Sequence, residues 1–462
     1  MNYYPISIEK IKEKIVKKKI FKQPIRSLPF EDILNVKEIT NEFGETLVRV
    51  DGDIPIDLPI IDGQRFLFIS YDQSRYTHGI HKYPAKFFPE LPRWLINRYS
   101  KPNDLILDPF AGSATTNVEA MLLNRNSVAI DVDPFARYLA KVKTTPIDKF
   151  ELNETIDRIL KQLVAYNPKM IDSEDIPEFP YRENWFAKEI LLELAFIKKI
   201  ILNSTDDNDI KDLCLISMSS IIRAVSNADD NCTRTVVRKK LKKEIYPSLA
   251  LTKFAENLII NSYRVIDFTN RLKTKPIVEI PDGNDARFLT YPDNYFDLAI
   301  TSPPYVNAVD YPRTHQLEMY WLGLANGSLS KLKESHIGTE VVKASEYKHL
   351  HKTGEESADK KIEAIYKIDP RRAYIAYKYI YDMILNLKEV YRALKPGGRY
   401  IIVVGNNRIK GELFENWKYL MNISKNIGYK VENYFGSEII KHFIKVPREE
   451  RITTDWIIVL KK

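Results

Sequence analysis

The stretch DLILDPFAGSATTNVEAMLL, residues 104–123, decides the fold of this chain. Its apolar residues at 105–107 predict a short buried strand of the parallel type, because such strands are covered on both faces. A tight loop around Gly112 follows, and a helical pattern begins at Thr115. The segment SVAIDVDP, 127–134, then predicts a second apolar strand that ends in acids. Strand, loop, helix and strand in this order form the repeating unit of a doubly wound sheet.

The same pattern returns in the second half of the chain. FDLAITSPPY, 296–305, predicts a strand that runs into a Pro-Pro turn, and 371–394 predicts a long amphipathic helix. A Lys-Pro-Gly-Gly turn ends that helix before a buried strand at 399–405. Candidate strands near 429–434 and 455–460 would form a closing hairpin. We therefore predict an α/β fold with a doubly wound, mostly parallel sheet of seven strands.

The stretch between these two halves differs from both. Residues 145–280 contain long helix-like segments and predict a mainly helical inserted domain, a candidate for target recognition. Before the core, a lysine-rich start precedes short predicted strands at 45–50 and 65–70. The predicted organisation is an N-terminal segment that could contact DNA, the first part of the core, the helical insert and the second part of the core: 1–75, 76–144, 145–280 and 281–462.

Composition limits the class of protein. The chain has 462 residues, 44% of them hydrophobic, so it can bury a large core without disulfides or structural metal. The net charge of +8 permits a polyanionic partner without requiring one. The two cysteines and seven histidines show no metal-ligand spacing, which argues against a zinc site. No secretion signal and no apolar run of ~18 residues is present, so we expect a cytoplasmic protein with no membrane partner.

The loop DPFAGS, 108–113, is the first candidate site. A strand end that opens into a glycine loop and a helix start can bring backbone amides against a ligand. The acids Asp131 and Asp133 follow at the end of the next strand, where a carboxylate can accept hydrogen bonds from ribose hydroxyls. By itself this pattern also fits an ordinary α/β turn. A phosphate-binding G-x-x-x-x-G-K-[ST] loop is absent from the sequence.

The motif TSPPY, 301–305, is the second candidate site. Two prolines fix the backbone, so the Pro303 carbonyl is aimed by rigid geometry. The Ser302 hydroxyl can accept a hydrogen bond, and Tyr305 offers a flat face for stacking. Acceptors beside a stacking surface suit the exocyclic amino group of a planar base. The alternative is a turn that only terminates the strand.

Together these motifs resemble the S-adenosylmethionine-dependent amino-methyltransferases of DNA, most closely the cytosine-N4 type. DPFAGS resembles their cofactor motif, and TSPPY resembles the cytosine-N4 form of their catalytic motif. The segment 283–289, GNDARFL, is similar to one whose acid contacts the cofactor adenine. THGIHKYPAKFFPEL, 77–91, resembles the part that packs on the methionine moiety, and 394–405 resembles the helix-turn-strand before the last hairpin. The family's second loop glycine is replaced by Ala114.

The resemblance implies a Rossmann-like methyltransferase core, S-adenosylmethionine as cofactor and a flipped-out target base in double-stranded DNA. It implies no metal and no covalent nucleophile. The implied catalytic residues are Ser302, Pro303, Pro304 and Tyr305. The implied cofactor-binding residues are Lys86, Asp108, Phe110, Gly112, Ser113, Asp131, Asp285 and Thr301.

Contacts to DNA are predicted from basic residues, with solvated helix faces or internal ion pairs as the alternative reading. The predicted set is Arg234, Arg238, Lys239, Lys240, Lys242, Lys243, Arg313 and His315. A companion restriction endonuclease is a further expected partner; the sequence leaves the oligomeric state open.

Three alternatives to cytosine-N4 methylation stay open. They are adenine-N6 methylation of DNA, methylation of an RNA base, and a scaffold that binds the cofactor without catalysis. Cytosine-C5 methylation is disfavoured because it needs a thiolate, usually after a proline. Cys214 follows Leu213, Cys232 follows Asn231, and both are expected to pack as small apolar side chains.

Overall fold

The computed structural model describes residues 6–17, 36–40, 44–230, 232–238, 243–306, 309–439 and 453–462. Within these ranges the strands are β1 Val36–Thr40, β2 Thr46–Asp51, β3 Arg65–Ile69, β4 Leu105–Asp108, β5 Asn126–Ala129, β6 Val278–Glu279, β7 Phe296–Thr301, β8 Leu394–Gly405, β9 Asn407–Ile409, β10 Glu412–Phe414, β11 Lys430–Glu438 and β12 Thr454–Lys461.

The described helices fall into three groups along the chain. The first group comprises α1 Ile8–Lys17, α2 Glu90–Tyr99, α3 Thr115–Leu122 and α4 Pro134–Thr144. The second comprises α5 Lys149–Val164, α6 Arg182–Trp185, α7 Lys188–Leu202, α8 Asn208–Ser219, α9 Ile222–Val225 and α10 Leu249–Arg271. The third comprises α11 Tyr311–Thr314, α12 Gln316–Leu322, α13 Ser330–Ser335, α14 Glu356–Ile368, α15 Pro370–Ala393 and α16 Asn416–Ile427.

One large sheet organises these elements, in the order β1-β2-β3-β11-β12-β8-β7-β4-β5-β6. Strands β8, β7, β4, β5 and β6 are parallel, and β12 runs antiparallel to both β8 and β11. The chain leaves β4 toward β5 on one side, and β7 toward β8 on the other. In open α/β sheets the ligand crevice lies at the carboxyl ends of the strands where the order reverses, here between β4 and β7.

The predicted fold class is confirmed, and the sheet is larger than predicted. Seven strands, β6 to β11 in the sheet order, form the expected doubly wound core, and β11 and β12 form the expected closing hairpin. Three N-terminal strands then extend the sheet beyond β11, because β3 pairs with it in parallel. Phe66 and Phe68 of β3 are buried, so this pairing removes apolar surface from water and covers an open edge.

Helices cover both faces of the sheet. On one face, α2 contributes Trp94 and Leu95 to a core with the strand residues Ile300 and Ile401. On the other face, α14, α15 and α16 form a second core, which includes Tyr379 of α15. The predicted helix at 371–394 is therefore confirmed as α15, which ends at Ala393 just before the Lys-Pro-Gly-Gly turn.

The helical segments predicted within 145–280 are present as α5 to α10. Their apolar side chains join one core with residues outside that range, including Phe135 of α4 and Trp321 of α12. Helix α1 packs on α10 through Ile11 and Ile15. The boundaries at residues 75, 144 and 280 stay predictions. None of the described helices has both the length and the apolar character that crossing a bilayer requires.

Candidate active site

Two polar side chains meet where β4 and β7 end. The Thr301 hydroxyl donates a hydrogen bond to Oδ1 of Asp108 over 2.7 Å, and both residues are buried. The backbone amide of Phe110 donates to the same oxygen over 3.2 Å. Burial raises the pKa of the Asp108 carboxyl to about 6, although these hydrogen bonds favour its charged form. The acid at the start of the loop is thus fixed by the strand that carries TSPPY.

The loop after β4 turns tightly because two residues take left-handed backbone conformations. Gly112 has φ +48°, and a Cβ atom there would lie 3.1 Å from Cε1 of Tyr83. Ala114 has φ 57° and ψ 37°, so the position of the missing second glycine keeps a glycine-like conformation. The Gly112 amide donates to Oδ2 of Asp131 over 2.8 Å, which joins the loop to the end of β5. Burial also raises the pKa of Asp131 to about 6.

A histidine that the sequence did not indicate faces these acids. Asp133 caps helix α4 by accepting the Phe135 amide over 2.8 Å, and its other oxygen lies 3.5 Å from Nε2 of His336. Nδ1 of His336 lies 2.6 Å from the Leu332 carbonyl, so it donates there. Although burial alone would lower the pKa of His336, the Asp133 carboxylate raises it above its ordinary value. This contact thus joins the segment after α13 to the start of helix α4.

These elements surround a cavity of about 780 Å³, its open mouth included. Nine of the predicted site residues line it, namely Lys86, Asp108, Phe110, Gly112, Ser113, Asp131, Asp285, Ser302 and Pro304. Its size, its buried carboxylates and a glycine loop that leaves no room for a side chain fit a nucleoside joined to an amino acid. The residues predicted to hold S-adenosylmethionine are therefore brought together around one space.

Three predicted site residues do not line this cavity. Thr301 is fully buried, so its prediction as a direct cofactor contact is corrected: it positions Asp108 instead. Pro303 is buried, and Tyr305 is half-buried against the core beside α15. The Tyr305 hydroxyl donates to Oδ1 of Asp455 over 2.6 Å, which anchors the turn to β12. Burial raises the pKa of the Asp455 carboxyl to about 6.

A second, more polar cavity of about 590 Å³ adjoins the first. The two cavities share Tyr311, His336 and Ile337. Arg234 and Arg313 line the second cavity, and neither forms an ion pair with any residue that the structure describes. This cavity therefore offers two guanidinium groups without an ion-pair partner among the described residues, and it adjoins the cavity that Ser302 and Pro304 line.

One predicted DNA contact, His315, is contradicted by burial, and another, Lys243, already bonds within the protein. His315 is 3% exposed and stacks on Phe135 with ring centroids 4.4 Å apart, and burial lowers its pKa to about 3. It is thus a neutral core side chain, out of reach of a phosphate. Lys243 bonds to Asp230 over 3.0 Å and to the Arg223 carbonyl, so its ammonium is already engaged.

The rest of the basic cluster is only partly described. Arg238 is half-buried, and its backbone amide donates to the Asn227 carbonyl over 2.9 Å. The predictions for Lys239, Lys240 and Lys242 fall outside the described residues.

Cysteine placement agrees with the expectation from the sequence. Cys214 lies fully buried in the helical core, and burial raises its pKa to about 12, so it carries no thiolate at neutral pH. Cys232 is half-buried and also free.

Several cavity residues escaped sequence reasoning because none of them lies in a motif that the sequence indicated. They are Tyr311, Ser335, His336 and Ile337. Lys143 escaped because it lies on helix α4, where a lysine usually signals solvent. It is buried, and its ammonium donates to the Ser113 carbonyl behind the cofactor loop. Burial lowers the pKa of Lys143 well below its ordinary value.

Comparison with known proteins shows which proteins this chain is similar to. A family profile described as DNA methylase matches residues 3–142. The chain is similar to the Type II methyltransferase M.MvaI of Kocuria varians, at 25% identity over 375 residues, which cover 76% of this chain and 82% of that protein. It is also similar to the Type II methyltransferase M.BsoBI of Geobacillus stearothermophilus, at 26% identity over 415 residues, 78% of this chain and 81% of that protein.

Among solved structures, the chain matches a SAM-dependent methyltransferase from Methanosarcina mazei with a TM-score of 0.29 and 12% identity, covering 83% of this chain and 98% of that one. The DNA methylase match and the two relatives, which share most of their length with this chain, support an S-adenosylmethionine-dependent DNA amino-methyltransferase.

Proposed function

We propose that this protein transfers a methyl group from S-adenosylmethionine to N4 of a cytosine that is flipped out of double-stranded DNA. One observation carries the proposal: Ser302 and Pro304 stand in the wall of the same cavity as Asp108, Asp131 and the glycine loop. The group that would accept hydrogen bonds from the base and the groups that would hold the cofactor thus share one space.

When bound, the cofactor supplies an electrophilic methyl group on a sulfonium. The chain's own residues position the other reactant. The Ser302 hydroxyl, which bonds to no described residue, and the Pro303 carbonyl would accept hydrogen bonds from the two N–H groups of the amino group. This draws the nitrogen toward tetrahedral geometry and turns its lone pair to the cavity. One of the two protons is released to water when the methyl group is transferred. Catalysis is then mainly positioning and electrostatics, with no covalent intermediate.

Tyr305 would supply the surface on which the flipped base stacks. Its hydroxyl is held by Asp455 over 2.6 Å, so the ring cannot swing freely. A fixed ring reduces the entropy lost when the base is ordered.

Serine before Pro-Pro favours cytosine over adenine as the target base, because it matches the cytosine-N4 form of the motif. Adenine-N6 methylation uses the same kind of chemistry and is the nearest rival. Methylation of an RNA base, or a scaffold without turnover, would leave the geometry of the cavity unchanged, so only an assay separates them from the proposal.

The DNA strand would enter through the second cavity. Arg234 and Arg313 can each hydrogen-bond a phosphate in a bidentate manner, and the cavity that they line adjoins the one lined by Ser302 and Pro304. Because both relatives are Type II methyltransferases, we also propose that recognition is site-specific and that a restriction endonuclease accompanies the protein.

The test is methyl transfer to unmethylated plasmid DNA, followed by mass spectrometry of the nucleosides. We expect N4-methylcytosine with the wild-type protein and near-background product with Ser302→Ala. Ser345→Ala, an exposed serine away from both cavities, is the matched control and should keep full activity. N6-methyladenine would overturn the base assignment alone. Full activity in Ser302→Ala would overturn the role given to the turn.

A further inference from the structure

Arg287 forms a bidentate ion pair with Asp285, an acid that lines the cofactor cavity. Its Nε donates to Oδ1 of Asp285 over 2.9 Å, and its Nη2 donates to Oδ2 over 2.6 Å. The Arg287 backbone amide adds a third bond to Oδ1, also over 2.9 Å. The Arg287 side chain is 13% exposed and the Asp285 side chain 25%, so the guanidinium is largely shielded from competing water. This fork geometry fixes the plane of the carboxylate.

The hydrogen bonds from Arg287 leave the Asp285 carboxylate few acceptor positions for other donors. An ionised carboxylate has about four acceptor positions, two on each oxygen. Arg287 occupies both positions on Oδ1 and one on Oδ2. Among the described residues, no other group donates to the Asp285 carboxylate. One acceptor position on Oδ2 is therefore left, on a residue that lines the cavity.

Arg287 is itself held from two further sides. Its Nη2 donates to the Ser335 carbonyl over 2.9 Å, and its Nη1 lies 3.3 Å from Oδ1 of Asp382 on α15. The Lys378 ammonium donates a hydrogen bond to the second carboxylate oxygen of Asp382 over 2.9 Å. The guanidinium therefore cannot rotate without breaking contacts to three separate segments. Ser335 also lines the cavity, so Arg287 fixes two of its walls at once.

We infer that Arg287 is a specificity-determining positioning residue, which makes Asp285 present a single acceptor to the purine edge of the cofactor and so selects a 6-amino over a 6-oxo purine. This inference rests on the proposed function and on the resemblance of segment 283–289, which implies that Asp285 contacts the cofactor adenine. A 6-amino group donates a hydrogen bond to that acceptor. A 6-oxo group would place an acceptor against it, and a clamped carboxylate cannot turn away.

The experiment compares two ligands by isothermal titration calorimetry: S-adenosylhomocysteine and its 6-oxo analogue, S-inosylhomocysteine. The variant is Arg287→Lys, which keeps the charge but cannot bond both carboxylate oxygens in one plane. We expect the wild-type preference for the adenosyl ligand to fall about tenfold, the value of one charge-assisted hydrogen bond. The matched control is Arg399→Lys, because Arg399 grips Glu432 in the same bidentate way, remote from the cavity.

A second variant protects the test from misfolding. Asp285→Asn can turn its amide nitrogen toward a 6-oxo group, so it should lose the adenosyl preference even if Arg287→Lys does not fold. The inference is overturned if Asp285→Asn keeps the full preference, or if Arg287→Lys folds and changes it no more than Arg399→Lys does. If the wild-type protein binds neither ligand, the proposed cofactor itself fails. If the wild-type protein binds the adenosyl ligand, the proposed cofactor stands, and the variants then test the role of Arg287 alone.

Discussion

Replacing Gly112 by alanine would test whether the shape of the cofactor loop sets cofactor affinity. The residue has φ +48°, a region that side chains rarely adopt. A Cβ atom there would also lie 3.1 Å from Cε1 of Tyr83, closer than an ordinary contact. Tyr83 has little room to yield, because it stacks on Tyr311 at 5.7 Å and on His315 at 5.2 Å.

The loss of cofactor affinity follows from the left-handed backbone conformation and from the close approach to Tyr83. A left-handed conformation costs a residue with a Cβ atom about 1–2 kcal/mol. If the loop must hold this shape to bind the cofactor, the binding free energy weakens by the same amount. The dissociation constant then rises about 5- to 30-fold. The Tyr83 contact adds to this, so we expect the upper part of the range. The neighbouring Ala114 already keeps φ 57°, so the loop carries one such strain before the change.

Titration calorimetry with S-adenosylmethionine measures the effect. Gly411→Ala is the control, since Gly411 has φ +85° and nothing within 4 Å of a built Cβ, outside the cavity. It should lower stability slightly and leave affinity unchanged. The reasoning is refuted if Gly112→Ala binds within twofold of the wild type, or if Gly411→Ala loses affinity equally.

Three further predictions concern the same region. Affinity for S-adenosylmethionine should rise between pH 5 and pH 7, because Asp108 and Asp131, both with a pKa of about 6, lose their protons there and become better acceptors and counter-charges for a cationic ligand. A flat profile in calorimetry would contradict this. Thr301→Val should weaken binding at pH 7.5 about tenfold by removing a hydrogen bond to a charged group, whereas Thr301→Ser should not. Arg234→Ser and Arg313→Ser should each lower the slope of log K for DNA against log salt by about 0.9, and an unchanged slope would remove that residue from the interface.

Local pattern was enough for the central strands and the loops that follow them. The apolar run at 105–107, the glycine at 112 and the helical pattern from Thr115 predict β4, its loop and α3. Each of these elements forms between residues that are neighbours in the chain. The closing hairpin β11–β12 was predicted for the same reason, with the strand positions read from short apolar runs. Carboxyl ends of neighbouring parallel strands meet at one sheet edge, so Asp108 and Ser302 could be placed together in advance.

Burial of charged side chains could not be predicted in this way. Lys243 lies in the densest basic run outside the N-terminus, yet its ammonium bonds to Asp230 and to a carbonyl. His315 follows the catalytic motif, yet it lies in an aromatic stack. A charge in the sequence shows only what a side chain can offer, and packing decides whether it faces solvent.

The sequence by itself determined the fold class and the two loops at the carboxyl ends of β4 and β7, because each depends on residues close together in the chain. The chemistry proposed for those loops also came from the sequence. Only the tertiary structure decided that three N-terminal strands extend the sheet, that His336 and Ser335 complete the cavity, and that Arg287 orients Asp285. The Ser335 and His336 contacts join residues far apart in sequence. They form only when α13 packs against α11 and α15 packs against β8, and no local pattern records which side chains that packing brings into contact.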